Sequence, residues 1–203
     1  RDLHSFPTRR SSDLYSSFRI AQIESLQSMD RAVDAILAAL QRTGRLNNSV
    51  IIYASDSGIL WGEHRTFDFK ECVYDECVRV PLWVRVPGGA GRVDSNLVAT
   101  IDLAPSLAHM AGVVPPSPVN GNSFVNLLSD PSAAWRTEIL LENLGVFASA
   151  TVNAIRTAQY HLAEYPAIGG MEFYDLTNDP HQSDNRINDP ARSEEHTSEL
   201  QSP

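Results

Sequence analysis

This sequence of 203 residues contains only one lysine and two cysteines. Its 25 acidic side chains outnumber its 16 basic ones. The formal net charge of −9 argues against a nucleic acid as the main partner, since phosphate backbones are bound by basic patches. It leaves room for a small anion held by a few local cations. No apolar run approaches the ~20 residues of a membrane span, so the sequence predicts no transmembrane helix.

The two cysteines, Cys72 and Cys77, lie five residues apart. We interpret them as two free thiols, with one small disulfide loop as the alternative, and neither choice fixes the redox setting of the protein. The sequence therefore leaves the compartment open between cytoplasmic, periplasmic and secreted. It leaves the oligomeric state open as well.

The two ends of the chain do not read as parts of a fold. Residues 1–14 resemble an in-frame translation of a constant adapter from short-read DNA sequencing libraries, and residues 192–203 resemble the opposite adapter. A polar tail at each end is the alternative. We interpret both ends as adapter-derived artefacts and residues 15–191 as the natural part of a sequence truncated on both sides. That length suits one domain, or a large part of one.

The first part of the natural sequence has the pattern of an α/β domain. Apolar residues at three- and four-residue steps predict an amphipathic helix over residues 18–42, ended by Gly44. The β-branched run at 50–54 predicts a buried strand, and 80–86 predicts a second one after a polar loop at 57–78. Helix, strand, loop and strand in this order indicate the α/β class.

The rest of the sequence becomes strand-rich. Asp102 is predicted to be the N-cap of a helix at 103–110, and a proline-rich linker follows at 115–118. Beyond the linker, the pattern predicts one short helix and four short strands, at 123–128, 137–142, 151–156, 159–164 and 172–176. We therefore expect an α/β part at 15–114 and a C-terminal antiparallel subdomain at 115–191.

The clearest candidate site follows the first predicted strand. The run Val50–Ala54 leads into Ser55-Asp56-Ser57-Gly58, so a carboxylate lies where a buried strand gives way to a glycine turn. Ligands bind at the carboxyl ends of strands in open α/β sheets. Lys70 follows fourteen residues later and adds a cation. A carboxylate and an ammonium from one strand exit suit a divalent metal with an anionic substrate.

Several motifs together resemble one family, the type I sulfatases of the alkaline-phosphatase-like superfamily. They are, in order, VIIYASDSG, GEHR, YDECVRVPLWVRVPG, DLAPSLAHMAG, IRTAQYHLAEY and FYDLTNDP. The match corresponds to the C-terminal half of a sulfatase. It implies part of an alkaline-phosphatase-like sandwich with a small C-terminal antiparallel β subdomain. It also implies hydrolysis of a small-molecule or saccharide sulfate ester, with Ca²⁺ and a formylglycine nucleophile.

The resemblance implies roles for three residues. Asp56 matches the aspartate that the second half of a sulfatase gives to the metal, and a hard dication prefers such an anionic oxygen. Ser57 stands where the family most often has Asn or His, so it is a weak metal ligand at most. Lys70 matches the lysine that contacts a sulfate oxygen and the nucleophile, which makes it both a catalytic and a substrate-binding candidate.

Two more candidates lie in the GEHR segment. His64 is expected to donate a hydrogen bond to the substrate or a proton to the leaving oxygen. A loop histidine that satisfies a backbone carbonyl is the alternative. Arg65 is expected to face the substrate or to be structural. Asp75 and Glu76 are expected to bond to the backbone or to Arg79.

Neither cysteine fits the formylglycine precursor, which is a Cys or Ser followed by Pro two places on and Arg four places on. Cys72 lacks both, and Cys77 has Arg and Pro in the inverse order. The nucleophile is therefore expected upstream, and the chain alone is expected to be inactive. Two alternatives stay open: a phosphonate or phosphate ester hydrolase of the same superfamily, and a non-catalytic sulfatase-like protein.

Overall fold

The structure is a computed structural model that describes residues 8–115, 117–144 and 151–190. The chain divides into two compact units. The first unit holds residues up to 51 together with 85–88, and the second holds the remainder. In the part that the structure describes, no helix is both long and apolar enough to cross a bilayer.

The first unit is dominated by one helix, α1 (Thr8–Arg42). It begins ten residues before the predicted start, inside the segment that we interpret as adapter. It ends as predicted, because Gly44 takes a left-handed φ of 70° and the Arg45 N–H donates to the Leu40 carbonyl at 2.8 Å. The apolar residues of the predicted stripe are exposed along most of its length, among them Ile23, Leu26, Met29 and Val33.

The second unit contains most of two paired strands, β1 (Ile51–Ala54) and β4 (Leu82–Arg85). The segment between them was predicted to be a loop, and this is wrong in two places. A small antiparallel hairpin of β2 (Leu60–Trp61) and β3 (Phe67–Phe69) comes first, and the short helix α2 (Asp75–Val78) follows.

After β4, helix α3 (Leu103–Met110) has the predicted bounds, and α4 (Val125–Ser129) lies within two residues of the predicted short helix. Asp102 stands at the N-cap position of α3, but its side chain does not cap that helix. Its buried carboxylate instead accepts hydrogen bonds from Ala99, Asn122 and Arg136, the last at 2.6 Å. It thus joins the start of α3 to segments far along the chain.

The C-terminal sheet has four antiparallel strands in chain order. They are β5 (Glu138–Asn143), β6 (Val152–Thr157), β7 (Tyr160–Tyr165) and β8 (Gly170–Asp175). Each begins within two residues of its predicted start. The register aligns Leu141, Ala154, Ala163 and Glu172 in one row across the sheet, so these residues share a face.

That face, which we call the inner face, carries the core of the unit. Val152, Ala154 and Ala163 are buried there, and Val73 from the segment before α2 packs among them. Val73 therefore fixes residues 71–75 onto the C-terminal sheet. The aligned register explains why one continuous apolar patch is available to receive it.

Candidate active site

The loop after β1 carries the candidate metal ligands. Asp56 is exposed, and its Oδ1 atom accepts a hydrogen bond from the Ser57 N–H at 2.8 Å. Its Oδ2 atom has no partner among the described residues. Ser57 is half-buried, and its carbonyl accepts the Ser55 hydroxyl at 2.9 Å. One carboxylate oxygen is thus fixed in the turn, and the other is free for a ligand.

A close backbone approach holds this loop against α2. The Gly58 N–H donates to the Cys77 carbonyl at 2.7 Å, and a Cβ at Gly58 would lie 1.9 Å from the Glu76 carbonyl oxygen. Only glycine allows that approach, since real Cβ atoms are never so near a backbone oxygen. Gly58, which was predicted to form the turn, therefore also allows the Asp56 loop to lie against helix α2.

Lys70 lies just beyond β3 and is exposed. Its ammonium forms no hydrogen bond or ion pair with any described residue. The backbone that follows it is well held, because the Glu71 carbonyl accepts a hydrogen bond from Asn143 at 2.8 Å and Val73 is buried in the inner face. The backbone beside Lys70 is thus held in place, and its exposed ammonium is available to bind an anion.

The two cysteines form a disulfide, with Cα atoms 5.8 Å apart. The interpretation of Cys72 and Cys77 as free thiols is therefore wrong, and the alternative of one small loop is right. The bond encloses residues 73–76 and ties Cys72, which precedes α2, to Cys77 within that helix. Neither sulfur is free to act as a nucleophile.

His64 has the most defined surroundings of the candidate residues. It and Arg65 have left-handed φ values of 51° and 60°, which non-glycine residues rarely adopt. The imidazole stacks on the Tyr74 ring, with centroids 3.7 Å apart and planes 9° from parallel. Its Nε2 atom lies 3.5 Å from the Glu76 Oε2 atom, and both side chains are mostly buried, at 15% and 20% exposure. Arg65 is exposed and forms no ion pair with a described residue.

Near His64, the Glu172 carboxylate accepts hydrogen bonds from two tyrosine hydroxyls. The Tyr74 hydroxyl donates to Glu172 Oε2 at 2.9 Å, and the Tyr165 hydroxyl donates to the same atom at 3.1 Å. Tyr174 packs edge-on against Tyr74, with ring centroids 6.3 Å apart. Burial raises the pKa of all three tyrosines well above the usual range, and the nearby Glu172 carboxylate acts in the same direction. Their hydroxyls therefore stay protonated as donors.

The acidic pair at the start of α2 matches expectation in part. Asp75 forms the expected ion pair with the exposed Arg79, at 3.8 Å, and a closer, two-pronged ion pair with Arg156 on β6, at 2.9 and 3.1 Å. The Asp75 N–H also donates to Gln182 at 2.7 Å. Glu76 faces His64 instead of bonding to Arg79. Arg156 and Gln182 come from the C-terminal sheet and the turns after it, so local sequence did not reveal them.

These contacts bring some candidates together and leave others apart. No hydrogen bond or ion pair joins Asp56, Lys70 and His64 to one another. Within residues 8–115, 117–144 and 151–190, no group of three or more His, Cys, Asp and Glu residues could enclose a metal ion. The free Asp56 oxygen nevertheless fits one edge of a Ca²⁺ site, which takes carboxylate and carbonyl oxygens.

Comparison with known proteins identifies the family. The Sulfatase family model matches residues 5–113, and the model described as "N-sulphoglucosamine sulphohydrolase, C-terminal" matches residues 62–202. The chain belongs to the sulfatase family. The resemblance drawn from its motifs and the α/β fold class are thus confirmed.

Two solved structures and one further relative illustrate the match. The chain is 32% identical over 180 residues to an N-acetylglucosamine-6-O-sulfatase of Bacteroides thetaiotaomicron, covering 84% of this chain and 32% of that protein. BT4656, solved in complex with its substrate D-glucosamine-2-N,6-O-disulfate, aligns with a TM-score of 0.79 at 29% identity, covering 87% and 37%. A phosphonate monoester hydrolase from Silicibacter pomeroyi aligns with a TM-score of 0.73 at 26% identity, covering 83% and 36%. The chain thus spans about a third of their length.

Proposed function

We propose that this chain is the C-terminal part of a sulfatase that hydrolyses a sulfate ester, with its nucleophile supplied by a formylglycine elsewhere in the parent protein. In this proposal residues 15–114 belong to the catalytic domain, 115–191 form the C-terminal subdomain, and the two ends are adapter-derived. The observation that carries it is that a carboxylate oxygen of Asp56 and the exposed ammonium of Lys70 each lack a partner among the described residues, in a chain of this family. The chain alone is inactive.

Asp56 is the proposed ligand to one Ca²⁺ ion, through the carboxylate oxygen that has no partner among the described residues. Ser57 is a weak second ligand, because its hydroxyl is a poorer donor than a carboxylate. When bound, the ion would supply Lewis-acid stabilisation of the sulfate oxygens. The remaining ligands come from residues outside those described here.

Lys70 binds a sulfate oxygen in this proposal, since its unpaired ammonium suits the charge that grows on the reacting group. His64 donates to the leaving oxygen, and Arg65, exposed and unpaired, contacts the sulfate or a sugar hydroxyl. The substrate class is a saccharide sulfate, which is supported by the glucosamine disulfate bound to BT4656 and by the name of the N-acetylglucosamine-6-O-sulfatase.

Calcium titration of the parent protein tests the metal assignment. We expect Asp56→Ala to abolish calcium binding in isothermal titration calorimetry, because no neighbouring carboxylate replaces it. Asp184→Ala is the matched control, since Asp184 is also an exposed turn aspartate whose side chain has no described partner. Unchanged calcium affinity in the Asp56 variant would remove the metal site from the proposal.

Turnover of the parent protein tests the role of Lys70. We expect Lys70→Ala to lower kcat by about 10²- to 10³-fold, the range typical of a lost electrostatic stabiliser, with little change in melting temperature. A comparable loss of thermal stability would make Lys70 structural. Parallel assays on sulfate, phosphate and phosphonate esters address the second candidate function, a phosphonate ester hydrolase, which the structural match to such an enzyme favours.

A further inference from the structure

We propose that Glu76 and the Tyr74–Glu172 pair are positioning residues that hold the His64 ring for proton donation to the leaving oxygen of the ester. This inference rests on the proposed sulfatase function and deepens it. Sequence motifs assigned no such role to Glu76, Tyr74 or Glu172. The geometry points to it because two contacts converge on the imidazole and a third holds the tyrosine on which it stacks.

The first contact fixes one edge of the ring. His64 Nε2 and Glu76 Oε2 are both buried and have no other partner among the described residues, so the 3.5 Å approach between them is the polar contact available to each. A carboxylate beside one ring nitrogen of a histidine sets the tautomer and orientation and balances the charge of the protonated ring. With Nε2 facing Glu76, Nδ1 is the nitrogen left for the substrate.

The second contact fixes the plane of the ring. The stack of His64 on Tyr74 is nearly parallel at 9°, so rotation of the imidazole would break it. The third contact holds Tyr74 itself, since its hydroxyl is bound to Glu172 at 2.9 Å and Glu172 lies on the inner face of the sheet. The orientation of His64 is thereby connected to β8, more than a hundred residues along the chain.

The chemistry requires such support. As the S–O bond breaks, its electron pair stays on the alcohol oxygen, which takes the proton from His64 Nδ1, while the sulfuryl group passes to the upstream nucleophile. A sugar alkoxide is a poor leaving group and needs that proton, whereas a nitrophenolate departs without it. Loss of His64 positioning should therefore affect sugar sulfates selectively.

The test compares two substrates on the parent protein: N-acetylglucosamine 6-sulfate and 4-nitrophenyl sulfate. We expect Glu76→Gln to lower kcat about 10- to 100-fold on the sugar sulfate and less than 3-fold on the aryl sulfate. Tyr74→Phe keeps the stack but loses the bond to Glu172, so we expect the same selectivity at about 3- to 10-fold. Glu76→Asp keeps the charge and should recover part of the loss.

Two controls separate positioning from general damage. Glu164→Gln neutralises an exposed glutamate on β7 and should change neither activity. In a His64→Ala background, Glu76→Gln should add no further selectivity, because the effect passes through that ring.

The possible results distinguish failure of the positioning role from failure of the proposed function. Equal losses on both substrates, or an unchanged ratio in Glu76→Gln and Tyr74→Phe, overturn the positioning role. If Glu76→Gln does not fold, Tyr74→Phe and Glu76→Asp decide by the same ratio. A wild-type protein that hydrolyses neither sulfate overturns the proposed function and this inference together. A wild-type protein that hydrolyses both esters, with variants of unchanged ratio, overturns the inference alone.

Discussion

His161 makes the stability of the folded protein depend on pH. It lies on β7 with none of its surface exposed, and neither ring nitrogen has a hydrogen-bond partner in the part of the chain that the structure describes. Burial lowers the pKa of His161 from 6.5 to about 4; the Arg156 guanidinium acts in the same direction, and the Asp75 carboxylate opposes it. The folded chain therefore keeps this ring neutral at a pH where the unfolded chain protonates it.

The direction of this pH dependence follows from the number of protons that each state binds. Above pH 6.5 the ring is neutral in both states, and full stability is present. Between pH 6.5 and about 4 the unfolded state binds the extra proton, so stability is lost as the pH falls through this window. Each pKa unit of difference between the two states is worth about 1.4 kcal/mol, so the full loss of stability is about 3 to 4 kcal/mol.

The variant His161→Leu removes the titrating group at similar volume. Since a buried polar group without a partner is costly, we expect the variant to be as stable as wild type or more stable at pH 7.5. From pH 7.5 to 4.5, the variant-minus-wild-type difference in free energy of unfolding should grow by roughly 2 to 3 kcal/mol. Urea unfolding at a series of pH values measures it, and carboxylates that titrate in both proteins cancel.

The exposed His181 provides the control, since His181→Leu should give a difference that does not vary with pH. A flat difference for His161→Leu would refute the reasoning. So would a loss above about 2 kcal/mol at pH 7.5, because that would show that the ring has polar partners worth more than its burial costs.

Three further predictions concern stability and are measured by urea unfolding. Gly58→Ala should cost about 1 to 3 kcal/mol, because its Cβ would meet a backbone oxygen at 1.9 Å, whereas Gly91→Ala meets nothing within 4 Å and should be near neutral. Replacing Cys72 and Cys77 by Ser should cost roughly 2 kcal/mol, as expected for so short a closed loop, and dithiothreitol should have the same effect on wild type only. Asp102→Asn should cost about 3 to 5 kcal/mol, because it removes the charge of a fully buried carboxylate and leaves the partly buried Arg136 uncompensated; a loss below 1 kcal/mol would contradict that ion pair.

Local patterns were sufficient for most elements of the fold. Helix α3 has its predicted bounds because a turn precedes it and Gly112 follows it, and the sheet strands were found from short runs between turn residues. The hairpin of β2 and β3 was missed, since two short strands in a polar segment leave no clear period. Five-residue spacing allowed either thiols or a disulfide, so the state of Cys72 and Cys77 was not decided by the sequence.

The candidate site divides in the same way. Asp56 and Lys70 were predicted because each lies beside a strand exit or within a motif, and their roles stay predictions. The surroundings of His64 could not be predicted, because Tyr74 and Glu172 are separated by 98 residues and only the folded sheet brings them together. Asp102 was expected to cap its own helix, and its distant partners were invisible for the same reason.

Val73, buried among side chains of β6 and β7, has a practical consequence for protein engineering. The segment that follows Lys70 and the C-terminal sheet pack together as one unit, although they lie far apart in the chain. A chimaera that exchanged only the final four strands with those of another sulfatase would leave this valine facing a foreign surface. Grafts should therefore carry residues 71–77 together with 138–175, so that donor contacts travel as a set.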